Sequence, residues 1–218
     1  MKRTFAVAAA LALAGALPAA AQIEIPPVRL IAGVGKVAGS PYATRGSQDG
    51  TYWLTHDATT SMQLGLETAS PVRGVDLRLN LQYWKPQMNV SRLLGPGAPE
   101  ARDDVYRTSV KSLTLDAVIH LPRVLESRPY VLAGAGLTHF DFKQAYYRAS
   151  SQPVVPTDRT QPTLHLGLGT AWDVGRYDLF IEGSSFSTRL RDYEIDGVKL
   201  STDRNYTLTA GVRIPLNR

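Results

Sequence analysis

The chain has 218 residues, a formal net charge of +5 and no cysteine. Without cysteines it cannot be a disulfide-stapled scaffold, so a domain of this size needs a packed core, an oligomer or a membrane for stability. The excess positive charge is small and scattered, which argues against a nucleic-acid partner.

The N-terminal segment has the three-part layout of a secretory signal peptide. Lys2-Arg3 forms a positively charged start, residues 5–17 are apolar and rich in alanine and leucine, and three alanines precede Gln22. An uncleaved anchor is the alternative, but the run is short for a spanning helix and the small residues suit cleavage. We expect residues 1–21 to be a cleaved signal peptide and residues 22–218 to form one exported domain.

The rest of the chain alternates between apolar and polar residues with a period of two, which is the signal of β-strands. The clearest run alternates Leu77, Leu79 and Leu81 with Arg78 and Asn80. The first and fifth runs are rich in glycine, so their facing stays open. The eight runs lie at about residues 28–39, 60–68, 75–83, 113–121, 129–142, 164–169, 177–182 and 206–216.

Any membrane span of the exported domain must consist of strands, because no segment after the leader approaches the roughly 18 unbroken apolar residues of a spanning helix. Strands that cross a membrane close into a β-barrel, in which the apolar residues of each strand face lipid and the polar residues face the interior. The expected lipid-facing residues are Leu77, Leu79, Leu81, Leu113, Leu115, Ile119, Leu179, Ile181, Val212, Ile214 and Leu216. The expected charge network of the lumen comprises Glu67, Arg78, Asp116, His120, His165, Asp173, Glu182 and Arg213.

The connections between the runs favour a barrel over a water-soluble sandwich, which would show the same alternation. Long gaps, one of them containing Gly95-Pro96-Gly97, alternate with short links near Ser70-Pro71, residues 122–128 and Gly175-Arg176. Long outside loops and short periplasmic turns alternate in this way in outer-membrane barrels. Aromatic residues at both strand ends suggest two interfacial belts, with Tyr83, Trp84, Tyr106, Phe140 and Tyr206 at one end and Tyr130, Trp172 and Tyr177 at the other.

The last run ends in a pattern that resembles the C-terminal targeting signal of outer-membrane barrels. Its elements are Thr209, Gly211, Ile214 and Leu216, although the final residue is not aromatic and two residues follow Leu216. Over almost its whole mature length the chain resembles the small eight-stranded barrels related to outer-membrane proteins A, X and W and the opacity proteins. The resemblance implies an all-β fold, a closed antiparallel up-and-down transmembrane β-barrel of about eight strands in a Gram-negative outer membrane.

The same resemblance sets the expected partners. They are the outer-membrane lipid, including lipopolysaccharide, and the barrel-assembly machinery during biogenesis; we expect a monomer and no nucleic acid. No residue pattern selects an extracellular ligand.

An enzyme is the less favoured reading of the lumen charges, since narrow barrels fill their interior with paired charges. Lipid-A deacylase barrels carry a serine two residues after the catalytic histidine. The residues two after the four histidines here are instead Ala58, Pro122, Asp141 and Gly167. We therefore assign no catalytic residue, and we expect no cofactor.

No metal site is expected either. The acidic residues of the last connection, Asp192, Glu194, Asp196 and Asp203, do not have the spacing of an EF-hand loop. The pairs Gly33-x-Gly35 and Gly134-x-Gly136 are not followed by a helix, and close packing inside a narrow barrel explains them better than a nucleotide site.

Three functions remain open at this point. The favoured one is a non-enzymatic envelope protein whose surface loops provide structure or contact a partner. A narrow pore for small or apolar solutes is the first alternative, and a lipid-A-modifying enzyme is the second.

The last two runs predict a register. Asp196-Gly197 is a strong signal for a two-residue hairpin turn, and such a turn pairs Ile195 with Val198. Carried down without a bulge, this register also places Glu182 diagonally beside Arg213 as its counter-ion. The remaining predicted pairs are Ile181–Val212, Leu179–Ile214 and Tyr177–Leu216.

Overall fold

The computed structural model describes residues 26–39, 42–45, 51–93, 101–147, 158–195 and 198–216, so the expected signal peptide lies outside the described residues. Within them the chain forms eleven strands in one sheet. The strands are β1 (Val28–Gly39), β2 (Tyr42–Arg45), β3 (Thr51–His56), β4 (Thr59–Ala69), β5 (Val75–Trp84), β6 (Gln87–Leu93), β7 (Ala101–His120), β8 (Ser127–Tyr147), β9 (Arg159–Val174), β10 (Tyr177–Ile195) and β11 (Val198–Pro215).

The sheet closes into an antiparallel barrel of eight strands, which confirms the fold predicted from the sequence. Its ring runs β1–β4–β5–β7–β8–β9–β10–β11, and β11 returns to pair with β1. β2, β3 and β6 continue three of these strands at one end, where β6 pairs with β7 and β3 pairs with β6. A closed ring leaves no unpaired strand edge in the wall.

Much of the sequence expected to form long connections is strand instead. β7 starts at Ala101 and β8 ends at Tyr147, whereas alternation predicts strands only over residues 113–121 and 129–142. The apolar signal stops where outward positions become polar, as at Ser109 and Lys111, but the backbone pairing of β7 with β8 continues. Hydrogen bonding between strands does not depend on side-chain polarity, so the strands extend beyond the residues that alternate between apolar and polar.

Side chains alternate between a buried interior and an exposed outer wall. In β5, Arg78 and Asn80 are buried while Leu77, Leu79 and Leu81 are exposed. All of the residues expected to face lipid point outward; all are exposed except Val212, which is half-buried.

The two glycine-rich strands carry apolar residues on both faces. In β8, Tyr130 and Leu132 are buried inside the barrel, while Val131 and Leu137 are exposed outside it. β1 likewise turns Ile31 inward. When both faces of a strand carry apolar residues, apolar and polar residues no longer alternate along the sequence. The sequence therefore does not show which face of these two strands is buried.

Three aromatic residues expected in the interfacial belts line the interior instead. Trp84 and Tyr130 are each 1% exposed and Phe140 is 5% exposed, so their expected place at the membrane interface is wrong. Tyr177 and Tyr206 are exposed on the outer wall. Tyr83 and Trp172, also expected in the belts, are half-buried at outward positions. The side chain of Tyr106 lies outside the described part.

The termini of the barrel and the short turns lie at one end. The connections there span residues 70–74, 121–126 and 175–176. Gly74 and Gly175 adopt φ angles of 81° and 72°, which a glycine tolerates without a steric penalty. The Leu216 N–H donates to the Val28 carbonyl at 2.8 Å and ties the start of β1 to the residue after β11. Among the described residues there is no helix that could cross a membrane.

The register of the last hairpin is correct near its tip. Ile195 pairs with Val198, as predicted, although Asp196-Gly197 lies outside the described residues. The register then shifts between Arg189 and Tyr193.

Below this bulge the predicted pairs are wrong by two residues. Leu179 pairs with Val212 rather than Ile214, and Ile181 pairs with Ala210 rather than Val212, so the predicted contact of Tyr177 with Leu216 is displaced as well. The extra residues lie in β10. An even shift keeps every side chain on its own face, which is why the facing is right although the register is not.

The position of this bulge can be tested by cross-linking, since the chain has no cysteine of its own. We expect Leu179→Cys with Val212→Cys to form a disulfide, because direct antiparallel partners lie within the Cα range of the bond. Leu179→Cys with Ile214→Cys should not, because residues offset by two lie about 7–8 Å apart. Non-reducing peptide mapping of the folded protein measures both; preferential oxidation of the second pair would contradict the bulge.

Candidate functional site

Polar and charged side chains fill the interior of the barrel. An eight-stranded barrel is wide enough for side chains and little else, so inward charges cannot reach bulk water and must pair with each other. The expected interior residues found fully or almost fully buried there are Glu67, Arg78, Asp116, His165, Glu182 and Arg213.

Arg78 is the centre of the interior. Its Nε and Nη2 donate to Glu67 Oε2 at 3.0 and 2.9 Å, and its Nη1 donates to Glu182 Oε2 at 2.6 Å. Glu67 lies directly opposite Arg78 on the neighbouring strand, whereas Glu182 reaches it from β10. One guanidinium therefore joins distant parts of the barrel wall through its planar fork of donors.

Two further side chains complete the pairing around the carboxylates. The Tyr130 hydroxyl donates to Glu182 Oε2 at 2.9 Å. Arg213 Nη1 approaches Glu67 Oε1 at 3.4 Å, and its guanidinium carbon lies 4.3 Å from the centre of the Tyr130 ring. The ring face and the carboxylate thus share the charge of this second arginine.

The network continues to the end of the barrel that carries the short turns. Arg29 Nη1 lies 3.1 Å from Glu67 Oε1 and 3.0 Å from Asp76 Oδ2. His120 Nε2 lies 2.8 Å from the same Asp76 oxygen. Three guanidiniums, of Arg29, Arg78 and Arg213, therefore face the three carboxylates of Glu67, Asp76 and Glu182.

Three of these groups also come close enough to suggest a metal site. Ligand atoms of Glu67, Asp76 and His120 lie within 4.8 Å of one another. Arg29 already donates to both carboxylates of this trio, so a guanidinium provides the positive charge that a metal would bring. The arrangement therefore fits an ion-pair cluster better than a metal centre. Of the acidic residues in the last connection, Asp203 is buried and accepts a hydrogen bond from Asn205, while the side chains of the other three lie outside the described part.

A second pair lies further from the turns. His165 Nδ1 is 3.0 Å from Asp116 Oδ2, and both side chains are completely buried. Phe186 stacks on the imidazole, with ring centres 4.1 Å apart, and Trp84 packs against Phe186 at 5.7 Å. These rings form an aromatic layer across the interior.

The His165–Asp116 pair has the form of a general base with its orienting carboxylate, but the described residues around it do not complete an active site. Thr114 Oγ1 is the hydroxyl near it, at 3.5 Å from His165 Nδ1, and no serine hydroxyl bonds to His165 within the described ranges. Complete burial also keeps a substrate away from the imidazole. Catalysis needs a nucleophile and an accessible reacting atom, and this pair shows neither.

Glycines on the inner face make room for the large side chains. A Cβ on Gly134 would lie 2.0 Å from Asp116 Oδ1, and a Cβ on Gly169 would lie 2.4 Å from the Tyr130 ring. Gly211 stands against Phe180 in the same way, at 2.7 Å. Glycine here marks the close approach of packed groups.

One residue expected in the lumen network lies at its end, and another takes a different place. His120 is half-buried near the turns, where it joins the network through Asp76. Asp173 is exposed near the end of β9, opposite Asp178, and Asp178 pairs with Arg128. The expected pairing of Glu182 with Arg213 is wrong, because the bulge in β10 places Arg213 opposite Asp178 and leaves Glu182 to Arg78.

Sequence reasoning missed Arg29, Asp76 and Tyr130. Asp76 alternates with the leucines of β5, and this alternation alone would have assigned it to the interior. Arg29 and Tyr130 lie in the two strands whose facing the sequence leaves open. Only the pairing of Arg29 with Glu67 across β1 and β4 reveals its place.

Comparisons with known proteins give the fold and no closer relation. No family model matches the chain, and no curated protein matches its sequence. Among solved structures, Neisserial surface protein A matches with a TM-score of 0.55 and 13% identity over 86% of this chain and 96% of that one. The outer membrane protein OprG from Pseudomonas aeruginosa matches with a TM-score of 0.54 and 13% identity over 88% and 97%.

The central role of Arg78 predicts a large effect on stability. We expect Arg78→Met to lower the free energy of unfolding by about 3–5 kcal/mol, because two buried carboxylates lose their shared partner. Arg128→Met is the matched control: its partner Asp178 and its own side chain are partly exposed, so it should cost about 0–1 kcal/mol. Denaturant unfolding of the folded protein measures both, and equal losses would contradict the central role.

Proposed function

Because the chain has the fold of the small eight-stranded outer-membrane barrels, we propose that it is a non-enzymatic integral outer-membrane protein with a sealed interior. Its wall contacts lipid, and its outer surface carries its interactions. The observation that carries this proposal is the inversion of polarity between the two faces of the wall: ion pairs inside and leucines outside.

The outer wall supports a lipid environment. Leucines at outward positions are about half exposed or more on several strands around the ring, for example Leu64 of β4, Leu115 of β7 and Leu168 of β9. Soluble proteins rarely expose contiguous apolar surface of more than a few hundred Å². An apolar band outside a polar interior is the arrangement of a transmembrane barrel.

The interior supports a sealed barrel over the narrow-pore alternative. Arg78, Glu67 and Glu182 cross it, Arg78 is paired with both carboxylates, and none of the three side chains is more than 2% exposed. Beyond them stand the aromatic layer of Trp84 and Phe186 and a chain of hydroxyls. That chain joins Thr138 to Thr163 at 2.6 Å and Thr163 to Thr188 at 2.7 Å. Water and ions would have to break these contacts to pass.

The lipid-A-modifying alternative has one favourable observation, the buried His165–Asp116 pair. An enzyme acting on lipid needs its catalytic group at the lipid-facing wall or at an opening, and this imidazole has no exposed surface. The non-enzymatic function therefore remains the better proposal.

Export and assembly complete the proposal. The leader over residues 1–21 would direct the chain out of the cytoplasm. The targeting pattern at Thr209, Gly211, Ile214 and Leu216 lies on β11 and in the residue that follows it, and the barrel-assembly machinery would read it there. We propose a monomer in the outer membrane whose standing partners are lipid and lipopolysaccharide.

Planar-bilayer recording tests the sealed interior. The wild-type protein should give no sustained conductance, because the charged layer, the aromatic layer and the chain of hydroxyls all block the lumen. A steady wild-type current would favour the pore. Lipid-A mass spectrometry on cells with and without the protein should give identical masses; a new acyl or phosphate pattern would favour the enzyme.

A further inference from the structure

A pocket on the outer wall is unrelated to the interior network. It has a volume of about 690 Å³ and lies where β5 gives way to β6, against β7 and β8. Lys85, Arg107 and Lys111 line it and are exposed. They occupy the same alternating positions as the outward leucines; Lys111, for example, lies two residues from Leu113 on the same strand. The pocket therefore opens to the surroundings of the barrel and not to its lumen.

Ion pairs among the described residues do not balance the charges of the three cations in this pocket. No salt bridge joins Lys85, Arg107 or Lys111 to an acidic group in the part of the chain that the structure describes, whereas Arg29, Arg78 and the other arginines of the interior network are paired. Like charges gathered without counter-ions repel one another, so an anion bound among them would be stabilised.

One carboxylate also lines the pocket. Asp141 is in the lining and accepts a hydrogen bond from Ser109 Oγ at 3.2 Å. Three cations against one carboxylate leave the lining with a positive excess. The Lys85 ammonium lies 5.7 Å from the centre of the Tyr83 ring, which places this charge beside an aromatic surface.

The pocket lies directly above the apolar band. Leu81, Leu113 and Leu137 pair side by side across β5, β7 and β8, and the next outward row contains Tyr83 and Lys111. Two residues of strand separate these rows by about 7 Å. The rows run away from the short turns and the chain ends, so the cations sit at the opposite interface of the band from the termini.

We propose that this pocket binds the phosphate groups of a phosphorylated glycolipid of the outer leaflet, the lipid A part of lipopolysaccharide. The inference rests on the proposed function, because it requires the leucine band to be in lipid. An amphipathic ligand matches both levels: its acyl chains lie on the leucine rows, and its phosphates lie among the three cations. Arg107 can bind phosphate through its fork of donors, and the two lysines act as point charges.

Binding of purified lipid A to the folded full chain in uncharged detergent tests the site, with native mass spectrometry as the readout. The triple variant Lys85→Gln, Arg107→Gln, Lys111→Gln should bind bisphosphorylated lipid A more weakly by about tenfold or more, because each cation near an anionic headgroup contributes to binding. The matched control removes three exposed cations at the turn end, Arg73→Gln, Arg123→Gln and Arg176→Gln. It should change binding by less than about twofold.

The ligand arms identify the source of the phosphate. Wild-type protein should prefer bisphosphorylated lipid A over the same lipid with its phosphates removed, and over phosphatidylglycerol. Equal binding of the dephosphorylated lipid, equal binding of phosphatidylglycerol, or equal losses in the two triple variants would each overturn the proposal. Unheated gel mobility and insertion into vesicles are checked first: a protein that does not insert contradicts the proposed function, whereas an inserted protein without the preference contradicts only this site.

Discussion

A charge inside a narrow barrel has no access to bulk water, and this constraint organises the rest of the molecule. Arg78 meets it by donating to Glu67 on the adjacent strand and to Glu182 on β10, at distances between 2.6 and 3.0 Å. Replacing either carboxylate with an apolar residue would leave the guanidinium short of a partner. The network therefore fixes which residues can stand opposite one another, and the glycines that admit the large side chains follow from it.

The outer wall obeys the opposite requirement. A contiguous band of exposed leucines suits apolar surroundings, and in such surroundings the backbone must satisfy all its hydrogen bonds within the closed sheet. The two requirements together explain the strict alternation in β5, where Arg78 and Leu79 are neighbours in sequence but face opposite environments. The cation pocket at Lys85 and Lys111 marks the level at which the apolar band ends.

Sequence patterns predicted the eight strands, the facing of six of them and most of the interior charges, because a period of two is a local property. They failed where information is non-local. The two-residue bulge in β10 changes the pairing partner of Leu179 from Ile214 to Val212, and no residue type in that segment predicts the bulge. The inward facing of Tyr130 and Arg29 could not be predicted, because their strands carry apolar residues on both faces. The part of β7 before residue 113 was not predicted as strand, because its outward residues are polar. Register and partner choice come from the closed ring, which the sequence reveals only through pairing.

The central claim is that the outward leucines face lipid while the charges face inward, and the unfolding free energy in lipid vesicles tests it most directly. Leu79→Arg should lose about 2–4 kcal/mol, the usual effect of arginine at mid-depth on the lipid face of a barrel. Leu121→Arg, in the connection after β7, should lose about 0–1 kcal/mol because it lies near the interface. No loss for Leu79→Arg, or equal losses for the two variants, would contradict the account.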